Sequence, residues 1–320
     1  MFAIKVNTDG LLVWEETEQP IIGPGKVRIK VHATAINRAD LMQVKGSYPP
    51  PSGVTDILGL ECSGEIIELD DSVDSFKVGD PVCALLAGGG YAQEVVVSAG
   101  QVLPIPKGLG MIEASAIPEV FATAYLNLYM GANLTPGERV LIHAGGSGVG
   151  TAAIQLCKVT HNPSFVTVGD DFKLQKCISL GAERGWNRRL GSFIEEVKDW
   201  GPVDVILDLV GASYFADNIE VLSVDGRINH VGLLGGGATN IDLTKVVMKR
   251  ISLLGSILRA RSVSRKALIM DGLFNDFWDE FENGTISPIV HDVIPIAKAQ
   301  QAHDDLASNR SFGKIILQVI

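Results

Sequence analysis

The 320-residue sequence predicts an α/β protein in which a β-rich first domain precedes a doubly wound parallel sheet. Three observations carry this expectation. The first hundred residues read as short strands broken by turn residues about every ten positions. From residue 140 onward, strand-like and helix-like segments alternate. Between the first such strand and its helix lies a glycine-rich turn, Ala144-Gly145-Gly146-Ser147-Gly148-Val149-Gly150. The length exceeds one comfortable core, so two domains are expected. The 46% hydrophobic content and 35 glycines fit an α/β enzyme rather than a disordered or fibrous chain.

The elements follow in order. Residues 27–33 alternate apolar and polar side chains, as a half-buried strand does, and residues 63–68 and 91–97 look similar. Residues 78–82 are a turn leading into another strand. The rhythm changes near Ala116: residues 119–129 have a helical pattern and residues 134–138 form a turn. Strand 140–143 is then followed by a helix from Thr151, strand 165–168 by a helix at 174–180, and strand 203–207 by a helix at 216–222. Strands at 227–231 and 251–257 complete the sheet. Beyond Arg259 the chain is helical through Phe281 and again over 298–307. The closing strand, 313–319, has no place in the parallel sheet and is expected to return to the first domain. The expected division is therefore 1–117 with 259–320, and 118–258.

The bulk properties exclude several classes. A formal charge of −10 with no dense Lys/Arg cluster argues against a nucleic-acid partner. No apolar run approaches a membrane span, and residues 1–6 read as a strand rather than a signal peptide. Cys62, Cys83, Cys157 and Cys177 show no C-x-x-C spacing, which suits reduced, structural thiols in a cytoplasmic protein.

The glycine-rich turn has the order of a dinucleotide site. Gly145 is expected to let the chain turn tightly, Gly148 to let the backbone approach a pyrophosphate, and Gly150 to let the helix pack close to the strand. The helix N-terminus then offers unpaired N–H groups to phosphate. Ser147 stands where G-x-G-x-x-G has its second glycine, and its hydroxyl can donate to a phosphate oxygen. Taken alone, the loop also fits an ordinary strand-to-helix turn.

Four stretches decide between these readings: residues 35–40 (Ala-Ile-Asn-Arg-Ala-Asp), 58–64 (Leu-Gly-Leu-Glu-Cys-Ser-Gly), 79–82 (Gly-Asp-Pro-Val) and the 144–150 loop. In that order they resemble the medium-chain dehydrogenase/reductase superfamily, in particular its zinc-free quinone oxidoreductases of the zeta-crystallin type. The resemblance covers the whole chain. It implies a GroES-like catalytic domain beside the Rossmann domain, and reduction of a small-molecule quinone by a nicotinamide cofactor. Zinc-dependent alcohol dehydrogenases of this superfamily bind their catalytic metal through a Cys at the position of Asn37 and a His at that of Leu60. Neither asparagine nor leucine can replace those ligands. The four-cysteine structural lobe is also missing, since residues 86–91 pass directly to the next strand; Glu61 and Cys62 remain nearby, but two side chains do not make a site. No metal is expected. Alcohol oxidation then lacks a means of acidifying its hydroxyl, whereas a quinone or enal takes hydride unaided.

The cofactor signals conflict. Asp170 has the spacing of a ribose-binding acid, which favours NADH. The resemblance places Lys173 where NADPH-dependent relatives hold the 2′-phosphate, and Arg188 and Arg189 can supply bidentate cations. The reading favours NADPH, with NADH as the alternative. By resemblance, Asn37 and Tyr48 lie over the nicotinamide, Asn37 as a hydrogen-bonding group and Tyr48 as a lid or proton donor; a helix-start asparagine and a surface aromatic pinned by prolines are the plainer alternatives. Asp40 and Glu61 are expected to orient neighbours. Thr123 is expected to meet the cofactor, as are Gly232 and Leu234 at the carboxyl end of the sheet. Residues 235–237 read as a mobile loop, and His143 and His230 as satisfied core groups. Rival functions are an enal or enone reductase and a non-catalytic nucleotide-binding sensor. Homodimerisation through residues 251–257 as an edge strand is implied by the resemblance.

Overall fold

The computed structural model describes residues 1–319, which divide into two compact units: Met1–Ala122 together with the chain from Leu258 on, and Thr123–Ile257. In the first unit, strands Phe2–Val6 (β1) and Leu12–Glu16 (β2) form an antiparallel pair. Lys26–Ala35 (β3) is the spine of the larger sheet. It is followed by helix Arg38–Val44 (α1) and strands Glu61–Leu69 (β4), Pro81–Leu85 (β5), Glu94–Ser98 (β6) and Val102–Pro104 (β7). The alternation in β3 explains its place: Val27, Ile29, Val31 and Ala33 are fully buried, while Arg28, Lys30 and His32 between them are partly or wholly exposed. Helices Met111–Ala114 (α2) and Pro118–Tyr125 (α3) follow.

The second unit alternates strand and helix: Val140–His143 (β8), Gly148–Val159 (α4), Ser164–Val168 (β9), Asp171–Leu180 (α5), Arg184–Asn187 (β10), Ile194–Trp200 (α6), Val203–Asp208 (β11), Phe215–Val221 (α7), Leu222–His230 (β12), Leu243–Met248 (α8) and Ser252–Gly255 (β13). All its strand pairs are parallel, in the order β10-β9-β8-β11-β12-β13. Chain direction across the sheet reverses between β8 and β11. Ligands of open α/β sheets bind at the carboxyl ends of the strands at such a switch point.

The chain then adds Val263–Glu282 (α9), Val290–Pro295 (β14), Ala299–Ala307 (α10) and Lys314–Gln318 (β15) to the first unit. β15 runs antiparallel to β3, with Ile316 opposite Ala35, and extends its sheet to β14. Among the described residues, no helix is long and apolar enough to cross a membrane.

Several local expectations are corrected. Residues 91–93 are not strand: Tyr91 is wholly buried, and its backbone is taken by Leu58 and Ile4 rather than by a ladder. The helix expected over 119–129 ends as an α-helix at Tyr125 and widens into a π turn over Leu126–Gly131. There the Asn127 carbonyl accepts from both the Ala132 N–H and the Asn229 amide, which holds the turn open. β10 and β14 had no sequence signal: both are end strands, β10 of four residues with Trp186 as its one large apolar side chain, and β14 with His291 and Asp292 interrupting any alternation.

Candidate functional site

The second unit carries the glycine-rich turn between β8 and α4. At the end of β8 the chain turns through Ala144, whose φ of 55° is left-handed. The tight turn therefore falls on Ala144 and not on Gly145, which corrects the expected division of labour. Gly145 is glycine because a Cβ there would lie 2.8 Å from Cβ of Val166 and 3.3 Å from Sγ of Cys177. Gly150 is more tightly constrained: its Cβ would meet the Ala144 carbonyl oxygen at 2.5 Å. Ser147 caps α4, its Oγ accepting the Gly150 N–H at 3.0 Å. That narrows its expected role, because Oγ is already an acceptor and only its hydrogen remains to be donated. The first N–H groups of a helix have no partner within it. With Gly150 served by the cap, those of Gly148 and Val149 remain for an anion, and Gly146 completes the loop. The donor set fits a pyrophosphate.

At the end of β9, Asp170 caps α5, its Oδ1 accepting the Lys173 N–H at 2.9 Å. Asp171 accepts from the Asn187 amide at 2.9 Å. The Arg188 guanidinium lies 3.8–3.9 Å from where a Cβ on Gly169 would stand. Asp170, Lys173 and Arg188 are thus gathered at one strand end, but the carboxylate of Asp170 is already engaged in holding its helix.

Beyond β12, a Cβ on Gly232 would come within 2.9 Å of the Leu209 carbonyl oxygen, and Leu234 is largely exposed. Residues 235–237 are not the loose loop expected. Gly235 donates to the Val210 carbonyl at 2.7 Å, Gly236 accepts from Ala212, and a Cβ on Gly235 would meet Oγ of Ser213. Beneath this edge runs a buried polar chain. His143 is bonded at Nδ1 to Thr167 and at Nε2 to Asn218, Asn218 donates to Asp208, and Asp208 Oδ2 stands 3.1 Å from His230 Nδ1. Burial pushes the His143 pKa below its ordinary value. Thr123 is buried in α3, its carbonyl accepting from the Asn127 amide.

The first unit holds a second polar cluster. Asn37 is the N-cap residue of α1. Its amide nitrogen donates to Glu61 Oε1 at 3.0 Å and to the Ala35 carbonyl at 3.2 Å, and its Oδ1 accepts from Lys314 Nζ at 2.6 Å. Lys314 also donates to the Ile36 carbonyl at 2.7 Å and is ion-paired with Glu61, its Nζ 2.9 Å from Oε1. Both donors of Asn37 are spent, and only an Oδ1 lone pair is left for a ligand. Asp40 accepts from the backbone N–H groups of Asn37 and Gly59 and from the Tyr91 hydroxyl, which in turn meets His303 Nε2 at 3.1 Å. Desolvation nonetheless pushes the Asp40 pKa up to about 6. Asp40 and Glu61 both hold neighbours in place.

Tyr48 sits under a guanidinium, with Arg259 Cζ 5.4 Å from the ring centre. Arg259, almost fully buried, also reaches the Ala87 carbonyl at 2.6 Å, Gln43 Oε1 at 2.7 Å and the Tyr48 carbonyl at 3.3 Å. Burial raises the phenol pKa. Among the described residues, no group of three or more His, Cys, Asp or Glu side chains is placed to hold a metal. Lys314, Arg259 and Glu119 escaped the sequence reading. For Lys314 a signal existed, a lysine opening an otherwise apolar strand; for the other two there was none.

Comparison with known proteins adds the family. Residues 23–107 match the alcohol dehydrogenase GroES-like domain and residues 148–270 the zinc-binding dehydrogenase domain. Quinone oxidoreductase-like protein 2 of Bos taurus is 28% identical over 313 residues, covering 97% of this chain and 89% of its own. The solved structure of an NAD-dependent alcohol dehydrogenase superposes with a TM-score of 0.87 at 29% identity, covering all of both chains. The quinone oxidoreductase of Thermus thermophilus, solved also with NADPH, gives 0.85 at 26%, again over both whole chains. With both domains matched in series and relatives spanning its length, the chain belongs to the medium-chain dehydrogenase/reductase family of oxidoreductases.

Proposed function

We propose that this protein reduces quinones with NADPH by metal-independent hydride transfer. The observation that carries the reading is the seat of Lys314: its ammonium donates to Asn37 Oδ1 and to the Ile36 carbonyl and is ion-paired with Glu61 Oε1. Asn37, one of the two positions at which zinc-dependent relatives hold a Lewis acid, is here bonded to the chain's own cation. An alcohol must be acidified before it yields hydride, whereas a quinone is electrophilic already. The names and cofactors of the quinone oxidoreductase relatives support the same choice.

When bound, the cofactor supplies hydride from C4 of its nicotinamide. The chain's residues bind and orient. The loop from Gly145 to Gly150, with Gly146, Ser147, Gly148 and Val149, takes the pyrophosphate, while Thr123, Gly232 and Leu234 contact the nicotinamide half. Asn37, through its remaining lone pair, and Tyr48, clamped by Arg259, position the acceptor. Arg188 and Lys173 favour NADPH by offering cations to a 2′-phosphate. NADH is the second reading, favoured by Asp170 and by the NAD-dependent relative. Reduction of enals or enones is the nearest rival acceptor chemistry. A homodimer joined through β13 is supported by that strand's place at the sheet end and by exposed Leu253 and Ile257. Four buried free cysteines support a reducing, cytoplasmic setting.

Initial rates with NADPH and NADH, each against an ortho-quinone and an α,β-unsaturated ketone, test the reading. NADPH with the quinone is expected to be fastest. A preference for the enone replaces the substrate class, a preference for NADH overturns the cofactor assignment, and tight cofactor binding with no stimulated oxidation favours the sensor.

A further inference from the structure

Glu119 has no part in the functions assigned so far. It stands in the first turn of α3, after Pro118, and its backbone N–H donates to Glu61 Oε2 at 2.8 Å. Its own Oε2 is shielded from solvent and has no hydrogen-bond partner among the described residues, the only carboxyl oxygen there in that condition. The charged and titratable groups around it come from several elements: Glu61 from β4, Asp40 from α1, Lys314 from β15 and Lys266 from α9, with Tyr48 and Arg259 close enough for mutual electrostatic influence. Lys314 donates to Ile36 and Asn37 and is ion-paired with Glu61 at 2.9 Å, so its charge serves Glu61 first. Two neighbouring carboxyls, one wholly buried and the other with a shielded oxygen, do not both ionise readily. Glu61, holding the ammonium and the Asn37 amide, keeps the negative charge, and Glu119 keeps the proton. Burial and the Glu61 charge push the Glu119 pKa up to about 8.

We propose that Glu119 is the proton donor of the reduction, its orphaned carboxyl oxygen serving the anion left on the acceptor. The assignment rests on the reductase reading above. Hydride transfer oxidises the nicotinamide and leaves the acceptor as a monoanion. The O–H bond of Glu119 then breaks, its proton forms the new O–H bond of the product, and Glu119 remains a carboxylate until solvent reprotonates it. The sum is acceptor plus NADPH plus one proton, giving reduced acceptor plus NADP+. The acid form is the active one, so kcat is expected to fall as pH rises through about 8.

Glu119→Gln keeps the side-chain shape but has no transferable proton. It is expected to lower kcat about 100-fold, to remove the alkaline fall from what activity remains, and to leave NADPH binding, followed by fluorescence, unchanged. Independently of turnover, infrared spectra of the resting wild-type protein are expected to show a protonated carboxyl at neutral pH. That signal should disappear near pH 8 and be missing in Glu119→Gln. Wild-type kcat and an unchanged alkaline limb in Glu119→Gln overturn the assignment alone, as does a wild-type spectrum without such a titration, which decides the matter even if the variant does not fold. A wild-type chain that reduces no acceptor at all overturns the reductase reading and this assignment with it.

Discussion

The glycine-rich loop of the second unit and the polar cluster of the first are built on opposite principles. The loop is seven consecutive residues whose shape is enforced by what a side chain would strike: Val166, Cys177, and the loop's own carbonyl at Ala144. The cluster is held by charge, and its partners are 24, 58 and 277 positions apart in sequence. One is a steric device with local instructions, the other an electrostatic device assembled from the far ends of the chain. The first should fail by overpacking and the second by leaving a charge unpaired.

The largest effect is expected in the cluster. Lys314→Met leaves Glu61 buried without its counter-ion and should destabilise the fold by about 3–5 kcal/mol, read from chemical denaturation; a loss below about 1 kcal/mol would mean that Glu61 has protonated and that the ion pair is dispensable.

A second prediction concerns pH. Asp40, raised from 3.8 to about 6, adds stability that is full below pH 4 and lost as pH rises through 6. His303, lowered from 6.5 to about 4, adds stability that is full above pH 6.5 and lost as pH falls through 4. The two slopes oppose each other between pH 4 and 6. His303→Gln removes one of them, so its stability should fall by about 3 kcal/mol as pH rises across that window, while the wild type stays nearly flat. Parallel profiles for the two proteins would contradict this.

Effects in the loop should be smaller and of a different kind. Gly150→Ala brings a methyl group into the Ala144 carbonyl and should cost about 1–3 kcal/mol, with cofactor affinity lost in the same variant. Ser147→Ala removes only the cap and is expected to cost about 1 kcal/mol. Arg188→Ala should leave the melting temperature unchanged and weaken NADPH binding roughly tenfold relative to NADH; equal weakening of both would place the guanidinium away from the 2′-phosphate.

The same contrast explains what was legible in the sequence. The alternation after residue 140 and the glycine loop are local patterns, and the parallel sheet, α4 and its cap follow from them. Even so, the left-handed residue is Ala144 rather than a glycine, because Gly145 and Gly150 are reserved for close packing. Asn37 was visible as a missing metal ligand, yet its actual bonds were not, since Lys314 is brought to it only by the pairing of β15 with β3. Glu119 looked like an ordinary acid in the first turn of a helix, favourable there on dipole grounds alone. Its significance comes from Glu61, which no local pattern connects to it.

The 277-residue separation between Asn37 and Lys314 also has a consequence in time. During synthesis Glu61, wholly buried in the finished fold, exists for most of the chain's production without its ammonium partner. Closing the first sheet around that carboxylate is costly until β15 has been made, because a buried charge without its partner is expensive. β15 therefore completes the charge balance of the first unit in the same step that extends its sheet.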